Sequence, residues 1–135
     1  MTHWSGIGHK FGLTKPKAAM EFSVEGQTSG RLNRDGIQIH TPEEFAGMRA
    51  SGQLAAQILD MIADHVVPGV TTEKLDTLCH DFMVANNAVP ATLGYKGYPK
   101  SSCISINHVV CHGIPSDKIL KDGDVLNIDV TCILD

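Results

Sequence analysis

The sequence has neither an excess of positive charge nor a long apolar run. Eleven Lys and Arg residues stand against 15 Asp and Glu residues, which gives a formal net charge of −4. A basic surface for nucleic acid is therefore not expected. No stretch reaches the roughly 20 apolar residues that a membrane-spanning helix requires. Both absences favour one globular domain with no nucleic-acid site and no membrane contact.

Residues 1–20 lack acidic residues, and they also lack the apolar segment of a secretory signal. Few acidic residues are typical of mitochondrial presequences, but those are rich in Arg, and Arg is absent from this segment. Glycines then interrupt the chain up to residue 36 too densely for a regular element. We therefore predict a flexible N-terminal extension over residues 1–36 and a cytoplasmic location.

The four cysteines form no C-x-x-C pair and have no regular spacing; they are Cys79, Cys103, Cys111 and Cys132. A four-cysteine zinc site is therefore not expected. Without a secretion signal, reduced thiols are the default. Cys79 and Cys132 lie on apolar faces of predicted elements, so we expect both to be small buried apolar side chains.

Two capped helices are predicted before residue 88. Residues 41–44, Thr-Pro-Glu-Glu, supply an N-cap, a proline at the first helical position and a capping-box glutamate. Apolar residues then recur at helical spacing until Pro68-Gly69, which predicts a helix of about 25 residues. A second helix is predicted to begin at Thr71 or Thr72 and to end near residues 86–87.

Two segments rich in β-branched residues follow the helices. Residues 103–107 alternate as a strand that we expect to continue through Cys111. Residues 125–134 place Asn127, Asp129 and Thr131 on one face and apolar side chains on the other. An ionised Asp on a half-buried strand requires hydrogen bonds, a cation or a metal, which makes Asp129 a candidate functional residue. Helices followed by antiparallel strands predict an α+β fold.

Four linked motifs resemble those of the type I methionine aminopeptidases. They are Gly-Tyr-Lys-Gly-Tyr-Pro-Lys-Ser from residue 94, Cys-Ile-Ser-Ile-Asn from 103, Val-Cys-His-Gly-Ile-Pro from 110, and Asp-Gly-Asp with Asn-Ile-Asp-Val-Thr between 122 and 131. Several motifs in one order are more specific than any single one. The resemblance covers residues 37–135 and implies the pita-bread α+β fold, with two helices packed on an antiparallel sheet. It also implies a two-metal hydrolase that removes the initiator methionine when the second residue is small.

The resemblance further implies roles for individual residues. Asp129 matches a metal-binding aspartate, and His112 matches a catalytic histidine that contacts the substrate. Four residues match the pocket for the methionine side chain: Thr92, Tyr95, Tyr98 and Cys103. At Thr92 many bacterial members have a cysteine, so the pocket is expected to differ slightly there. The carbonyl groups of Asn107 and Val109 match positions that hold a monovalent cation.

The implied cofactors are two divalent ions, for which Co, Mn, Fe, Zn and Ni all suit carboxylate and imidazole ligands. The implied partners are nascent polypeptides with an N-terminal methionine, and the ribosome, with the enzyme itself a monomer. In the family, a second Asp, a His and two Glu ligands lie beyond Asp135. We therefore expect residues 37–135 to be the N-terminal portion of a catalytic domain, inactive alone because one carboxylate cannot hold two metal ions.

Two other hypotheses remain at this stage. The first is a truncated, non-catalytic relative that binds peptides or the ribosome through the tyrosine pocket. The second is a cytosolic α+β domain in which His112 and Asp129 only stabilise loops. The linked motifs favour the aminopeptidase hypothesis over this last one.

Overall fold

The computed structural model describes residues 31–134. In order along this part of the chain, its elements are β1 (Arg31–Leu32), β2 (Gln38–Ile39), α1 (Pro42–Ala63), α2 (Thr72–Ala85), β3 (Val89–Pro90), a 3-10 turn (Tyr95–Gly97), β4 (Ser102–Ile106), β5 (Leu126–Val130) and β6 (Cys132–Ile133). The strands form three antiparallel pairs, β1–β2, β3–β6 and β4–β5. This arrangement confirms the predicted α+β class. Within the described residues, no helix is long and apolar enough to cross a membrane.

A small hairpin precedes the first helix. β1 pairs with β2 through Arg31 opposite Ile39, and the side chain of Asn33 accepts hydrogen bonds from the backbone of Asp35 and Ile37. Such Asn side-chain bonds stabilise tight turns. The hairpin begins within the stretch for which the sequence predicts no regular element. Residues 1–30 of the predicted extension lie outside the described residues.

Both predicted helices form, and both have threonine N-caps. In α1 the Thr41 hydroxyl accepts from the backbone N–H of Glu44, and the Glu44 carboxylate accepts from the Thr41 N–H, which completes the predicted capping box. In α2 the Thr71 hydroxyl accepts from the N–H of Lys74. α1 is shorter than predicted, because it ends at Ala63 and the chain turns before it reaches Pro68.

The core lies between the two helices and the β4–β5 pair. Its buried apolar residues are Leu54, Ile58, Ile62, Leu75, Cys79, Met83, Ala88, Ile104, Ile106 and Leu120. Cys79 is fully buried, as predicted, and burial together with the nearby Asp76 charge raises the pKa of its thiol to about 11. Cys132 is only half-buried, and burial also raises the pKa of its thiol. Both thiols therefore stay protonated and unreactive near neutral pH.

The two long predicted strands are each shorter in the structure. β4 ends at Ile106 instead of continuing through Cys111, because Asn107 takes up a left-handed conformation (φ 54°). There the Asn107 side chain donates to Asp124 at 2.8 Å and accepts from the Val125 N–H at 3.0 Å, which fixes the turn. The other segment breaks at residue 131, so that β5 pairs with β4 while β6 pairs with β3. The chain thus crosses from one strand pair to the next.

Candidate active site

A cleft of about 570 Å³ contains every predicted catalytic, pocket and divalent-metal residue. It is lined by Thr92, Tyr95, Lys96, Gly97, Tyr98, Pro99, Cys103, His112, Ile114, Asp129 and Thr131. Concave sites of this size suit small ligands or single side chains. A smaller hollow of about 150 Å³, beside the Asp122–Asp124 turn, contains none of the predicted residues. The larger cleft is therefore the candidate site.

The β4–β5 register places a buried thiol beside an exposed carboxylate. Cys103 on β4 lies directly opposite Asp129 on β5, and such partners lie side by side on one face of the sheet. Cys103 is buried and Asp129 is exposed, and both line the cleft. The polar face of this half-buried strand is open to solvent, so the Asp129 carboxylate is not a buried charge that requires a partner. The alternation itself is as predicted, since Leu126, Ile128 and Val130 face inward.

The segment of residues 92–100, called the tyrosine loop below, is closed by hydrogen bonds between its two ends. The Thr92 hydroxyl donates to the carbonyl of Lys100 at 3.1 Å, and the N–H of Gly94 donates to the carbonyl of Tyr98 at 2.8 Å. Gly94 has φ of +84°, a conformation that side chains rarely adopt. Because the Thr92 hydroxyl is engaged in the loop, its methyl group is the part available to an apolar ligand.

The Tyr98 hydroxyl lies between two carbonyl groups from different segments. It lies 3.0 Å from the carbonyl oxygen of Ser102 and 3.1 Å from that of Gly113, and its one proton is shared between them. Burial raises the pKa of this phenol far above its ordinary value, and a hydrogen bond with the thiol of Cys103 raises it further. Tyr98 therefore remains a neutral donor that ties the tyrosine loop to the segment after His112.

His112 is held at the cleft by the glycine that follows it. The N–H of Ile104 donates to the carbonyl of Gly113 at 2.8 Å, and the N–H of Gly113 donates to the hydroxyl of Ser105 at 3.0 Å. A Cβ on Gly113 would lie 2.8 Å from the carbonyl carbon of Ile104, so only glycine fits this close approach. His112 itself has φ of +52°, a strained conformation that is frequent at functional sites.

The two residues predicted to hold a monovalent cation do not line the cleft. Asn107 and Val109 lie in the turn after β4, where the N–H of Asn107 donates to the carbonyl of Val125 and that of Val109 donates to the carbonyl of Ile106. Asp124 accepts from the Asn107 side chain, and this hydrogen bond, followed by one from the Lys121 N–H, lowers the pKa of its carboxyl. A cation held by the Asn107 and Val109 carbonyls remains a prediction.

The described residues do not by themselves form a two-metal site. Asp129 offers carboxylate oxygens and His112 an imidazole, but no group of three His, Cys, Asp or Glu side chains within residues 31–134 is arranged to hold a metal ion. A divalent ion prefers several such ligands. A metal centre at this cleft therefore requires ligands beyond those described.

Several groups that shape the cleft were not among the residues predicted from the sequence. Lys96 and Ile114 line it directly, and the ammonium group of Lys96 lies 5.5 Å from the centre of the Tyr95 ring. Ser105 supports the His112 segment from β4, and Asp76 on α2 binds the first residues of that strand. Lys96 and Ile114 stand inside the tyrosine and histidine motifs, which was a usable signal. No sequence pattern pointed to Ser105 or Asp76, because their contacts join distant parts of the sequence.

Comparison with known proteins gives matches to metallopeptidases. The model of metallopeptidase family M24 matches residues 46–135. A methionine aminopeptidase from Rickettsia prowazekii (strain Madrid E) is 65% identical over 99 residues, which are 73% of this chain and 38% of that protein. The methionine aminopeptidase of Escherichia coli (strain K12) is 60% identical over 101 residues, with the same coverage. The chain thus spans about two fifths of the length of these curated relatives.

Solved structures show the same fold. The crystal structure of the Rickettsia prowazekii methionine aminopeptidase has a TM-score of 0.72 at 64% identity, covering 73% of this chain and 40% of that one. The Thermotoga maritima methionine aminopeptidase has a TM-score of 0.70 at 35% identity, covering 72% and 39%. A Xaa-Pro dipeptidase from Bacillus anthracis, at 19% identity and a TM-score of 0.59, shares the fold alone. The predicted pita-bread architecture is confirmed. Because the family match covers more than half of the sequence, the chain belongs to metallopeptidase family M24.

Proposed function

We propose that this chain supplies the methionine pocket, the substrate-contacting histidine and one metal ligand of a methionine aminopeptidase. The observation that carries the proposal is the cleft itself, which joins the tyrosine loop, the His112 segment and the β4–β5 pair. The wider proposal is removal of the initiator methionine from nascent polypeptides with a small second residue. A monomeric cytoplasmic enzyme that meets these chains near the ribosome belongs to the same proposal.

The pocket walls suit an unbranched thioether side chain. Tyr95 and Tyr98 contribute aromatic rings, Cys103 contributes a buried thiol, and Ile114 contributes an aliphatic group. Sulfur atoms make favourable contacts with aromatic rings, and methionine fills irregular apolar spaces readily. Because the Thr92 hydroxyl already donates to the Lys100 carbonyl, it is not an unpaired donor that would disfavour an apolar side chain.

In this proposal the backbone of a peptide seated in the pocket meets His112 and Asp129, which line the same cleft. His112 is exposed and conformationally fixed, so its imidazole can donate to a carbonyl oxygen that gains negative charge. Asp129 offers an exposed carboxylate to a divalent ion. The chemistry that divalent ions supply in such enzymes is activation of water and stabilisation of the oxyanion. The remaining ligands are proposed to come from the length of the relatives that this chain does not span.

The test is a hybrid in which residues 37–135 replace the matching segment of the Rickettsia prowazekii relative. We expect it to release methionine from Met-Ala-Ser in a metal-dependent manner. His112→Ala should lower kcat by about 100-fold, as loss of a single oxyanion donor does, while metal binding persists. Asp129→Asn should abolish binding of the second metal equivalent, measured calorimetrically with Mn²⁺.

Matched controls are available in the same segment. His108→Ala removes an exposed imidazole that does not line the cleft, and Asp122→Asn removes an exposed carboxylate from a turn outside it. Both should leave kcat and metal stoichiometry unchanged. A folded, metal-loaded hybrid without methionine release would contradict the proposed activity. Normal metal binding by Asp129→Asn would contradict the role of Asp129. No observation favours the non-catalytic peptide-binding alternative.

A further inference from the structure

One face of α2 contacts the residues that precede and begin β4. Asp76 is buried, with 6% of its surface exposed, and its Oδ1 atom accepts from the N–H of Ser101 at 3.1 Å, the N–H of Ser102 at 2.8 Å and the Ser102 hydroxyl at 2.7 Å. Charged acceptors make stronger hydrogen bonds than neutral ones. These three donors account for every polar contact that Asp76 makes with the start of the strand.

Two neighbours on the same helix face extend this contact. Glu73 forms an ion pair with Lys100, and the Nδ1 atom of His80 lies 2.8 Å from the hydroxyl of Ser101. Positions 73, 76 and 80 lie three and four residues apart, so they share one face of a helix. This face therefore contacts three consecutive residues, 100 to 102, immediately before Cys103.

From Ser102 the contacts continue into the cleft. The carbonyl oxygen of Ser102 accepts from the Tyr98 hydroxyl, and Cys103 is the next residue along β4. Asp76 lines no part of the cleft. It nonetheless binds Ser102, the residue before Cys103, and the carbonyl of Ser102 is the one that accepts from the Tyr98 hydroxyl.

We propose that Asp76 is a positioning residue for the pocket, which fixes Cys103 and Tyr98 by holding the start of β4 against α2. The identity of the side chain that the pocket binds rests on the proposed function. Loss of the carboxylate leaves two buried N–H groups and a hydroxyl without their acceptor, which is costly. The start of β4 then opens locally while the helices, packed through other residues, stay folded.

The first test maps thiol reactivity in the 135-residue chain. Asp76→Leu removes the acceptor, whereas Asp76→Asn removes the charge but keeps an oxygen in place. With iodoacetamide and mass spectrometry, we expect alkylation of Cys103 to be about tenfold faster in Asp76→Leu, as local opening predicts. Cys79, in the helix core, should stay protected in both variants, and the exposed Cys111 should react at an unchanged rate. Asp76→Asn should stay within about twofold of the parent chain, since its oxygen can still accept.

Matched variants separate positioning from general stability. Asp81→Leu removes an exposed carboxylate from the same helix and should leave all four rates unchanged. Ser102→Ala removes one of the three donors and should make alkylation of Cys103 about threefold faster. This variant tests the proposal if Asp76→Leu does not fold. Equal acceleration of Cys79 and Cys103, or no acceleration of Cys103 in either Asp76→Leu or Ser102→Ala, would overturn the proposal.

The second test uses the hybrid enzyme. Asp76→Leu should raise KM for Met-Ala-Ser about tenfold while kcat changes less than about twofold, a loss of binding shared by ground and transition states. Besides the Tyr98 hydroxyl, the His112 segment has two further anchors, Ile104 and Ser105, which is why kcat is expected to change little. An unchanged KM in the folded variant would overturn the proposal. An inactive parent hybrid would overturn the proposed function instead, and the thiol rates would still decide the role of Asp76.

Discussion

The hydroxyl group of Tyr98 joins three segments of the chain at the wall of the cleft. Its oxygen lies within hydrogen-bonding distance of carbonyls at the start of β4 and after His112, while its ring belongs to the tyrosine loop. A single polar atom therefore fixes the distance between the pocket and the histidine. Removing it leaves both carbonyl groups without this donor.

Tyr98→Phe should lower the free energy of unfolding by about 1 kcal/mol, the usual net contribution of one buried hydrogen bond, because the Gly113 carbonyl still accepts from the Ile104 N–H. Tyr95→Phe is the matched control, because the Tyr95 side chain is 64% exposed. It should change the free energy by less than about 0.5 kcal/mol. Urea unfolding of both variants measures the difference, and equal effects would contradict the role of the Tyr98 hydroxyl.

The same hydroxyl predicts alkaline sensitivity. Because burial raises the pKa of Tyr98 in the folded chain, the neutral phenol contributes stability that is fully present below the unfolded value of about 10. That stability is lost as the pH rises above 10 towards the folded pKa. In Tyr95→Phe, where Tyr98 is the remaining one of two tyrosines, tyrosinate absorbance should appear together with unfolding. Ionisation of Tyr98 at its ordinary pKa with the fold intact would contradict this.

Gly113 is a second residue on which the cleft depends. Gly113→Ala should lower the free energy of unfolding by about 2–3 kcal/mol, because the added methyl group overlaps the backbone of Ile104. Gly52→Ala is the matched control, since nothing lies within 4 Å of a Cβ at that exposed helical position. It should raise the free energy by up to about 1 kcal/mol through helix propensity. Thermal melts of both variants would show opposite shifts, and a neutral Gly113→Ala would disprove the close contact.

At the scale of elements, the helices depend on their N-caps more than on their last turns. Neither α1 nor α2 has a basic residue in its last turn, while both have acidic residues in the first. Acidic groups at a helix N-terminus interact favourably with the helix dipole. The N-terminal ends are therefore where single substitutions should matter most.

Thr41→Ala removes the hydroxyl of the α1 capping box and should cost about 1 kcal/mol of folding free energy. Thr77→Ala is the matched control, because the Thr77 hydroxyl donates to the carbonyl of Glu73 within α2 and is exposed. Alanine is the better helix former there, so this change should be neutral or slightly stabilising. Chemical denaturation distinguishes the two, and equal losses would show that the cap contributes nothing specific.

At the scale of the whole molecule, much of the apolar surface is open to solvent. Val110, Val125 and Met48 have exposed fractions of 93%, 75% and 72%. Single exposed apolar side chains are common, and contiguous apolar patches are what mark surfaces that other protein segments cover. The chain spans about two fifths of its relatives, so a catalytic domain of their length has further segments available for this purpose.

The 135-residue chain by itself should hydrolyse no Met-Ala-Ser above background, with or without added Co²⁺ or Mn²⁺. The reason is that residues 31–134 hold no cluster of three potential metal ligands, and a two-metal centre needs several oxygen or imidazole ligands for each ion. Methionine release is measured by mass spectrometry, with the Rickettsia prowazekii relative as the positive control. Robust metal-dependent turnover by this chain would disprove the prediction.

Local sequence determined the helices and the polarity of the strands. Thr41 and Glu44 form a capping box through contacts only three residues apart, and the alternation from Leu126 to Val130 is a direct consequence of strand geometry. The resemblance to a known family also named six of the eleven residues that line the cleft. These features depend on neighbours in the sequence or on a pattern of residues, so no knowledge of the three-dimensional arrangement was needed.

The tertiary structure alone decided where the strands end and what supports the site. β4 stops at Ile106 because the Asn107 side chain meets Asp124 and Val125, which are 17 and 18 residues away. Asp76 finds its donors 25 and 26 residues along the chain. Contacts over such separations depend on how the helices pack against the strands, and a period or a cap signal carries no information about that packing. For this reason the sequence located six residues of the cleft but not the contacts between α2 and the start of β4.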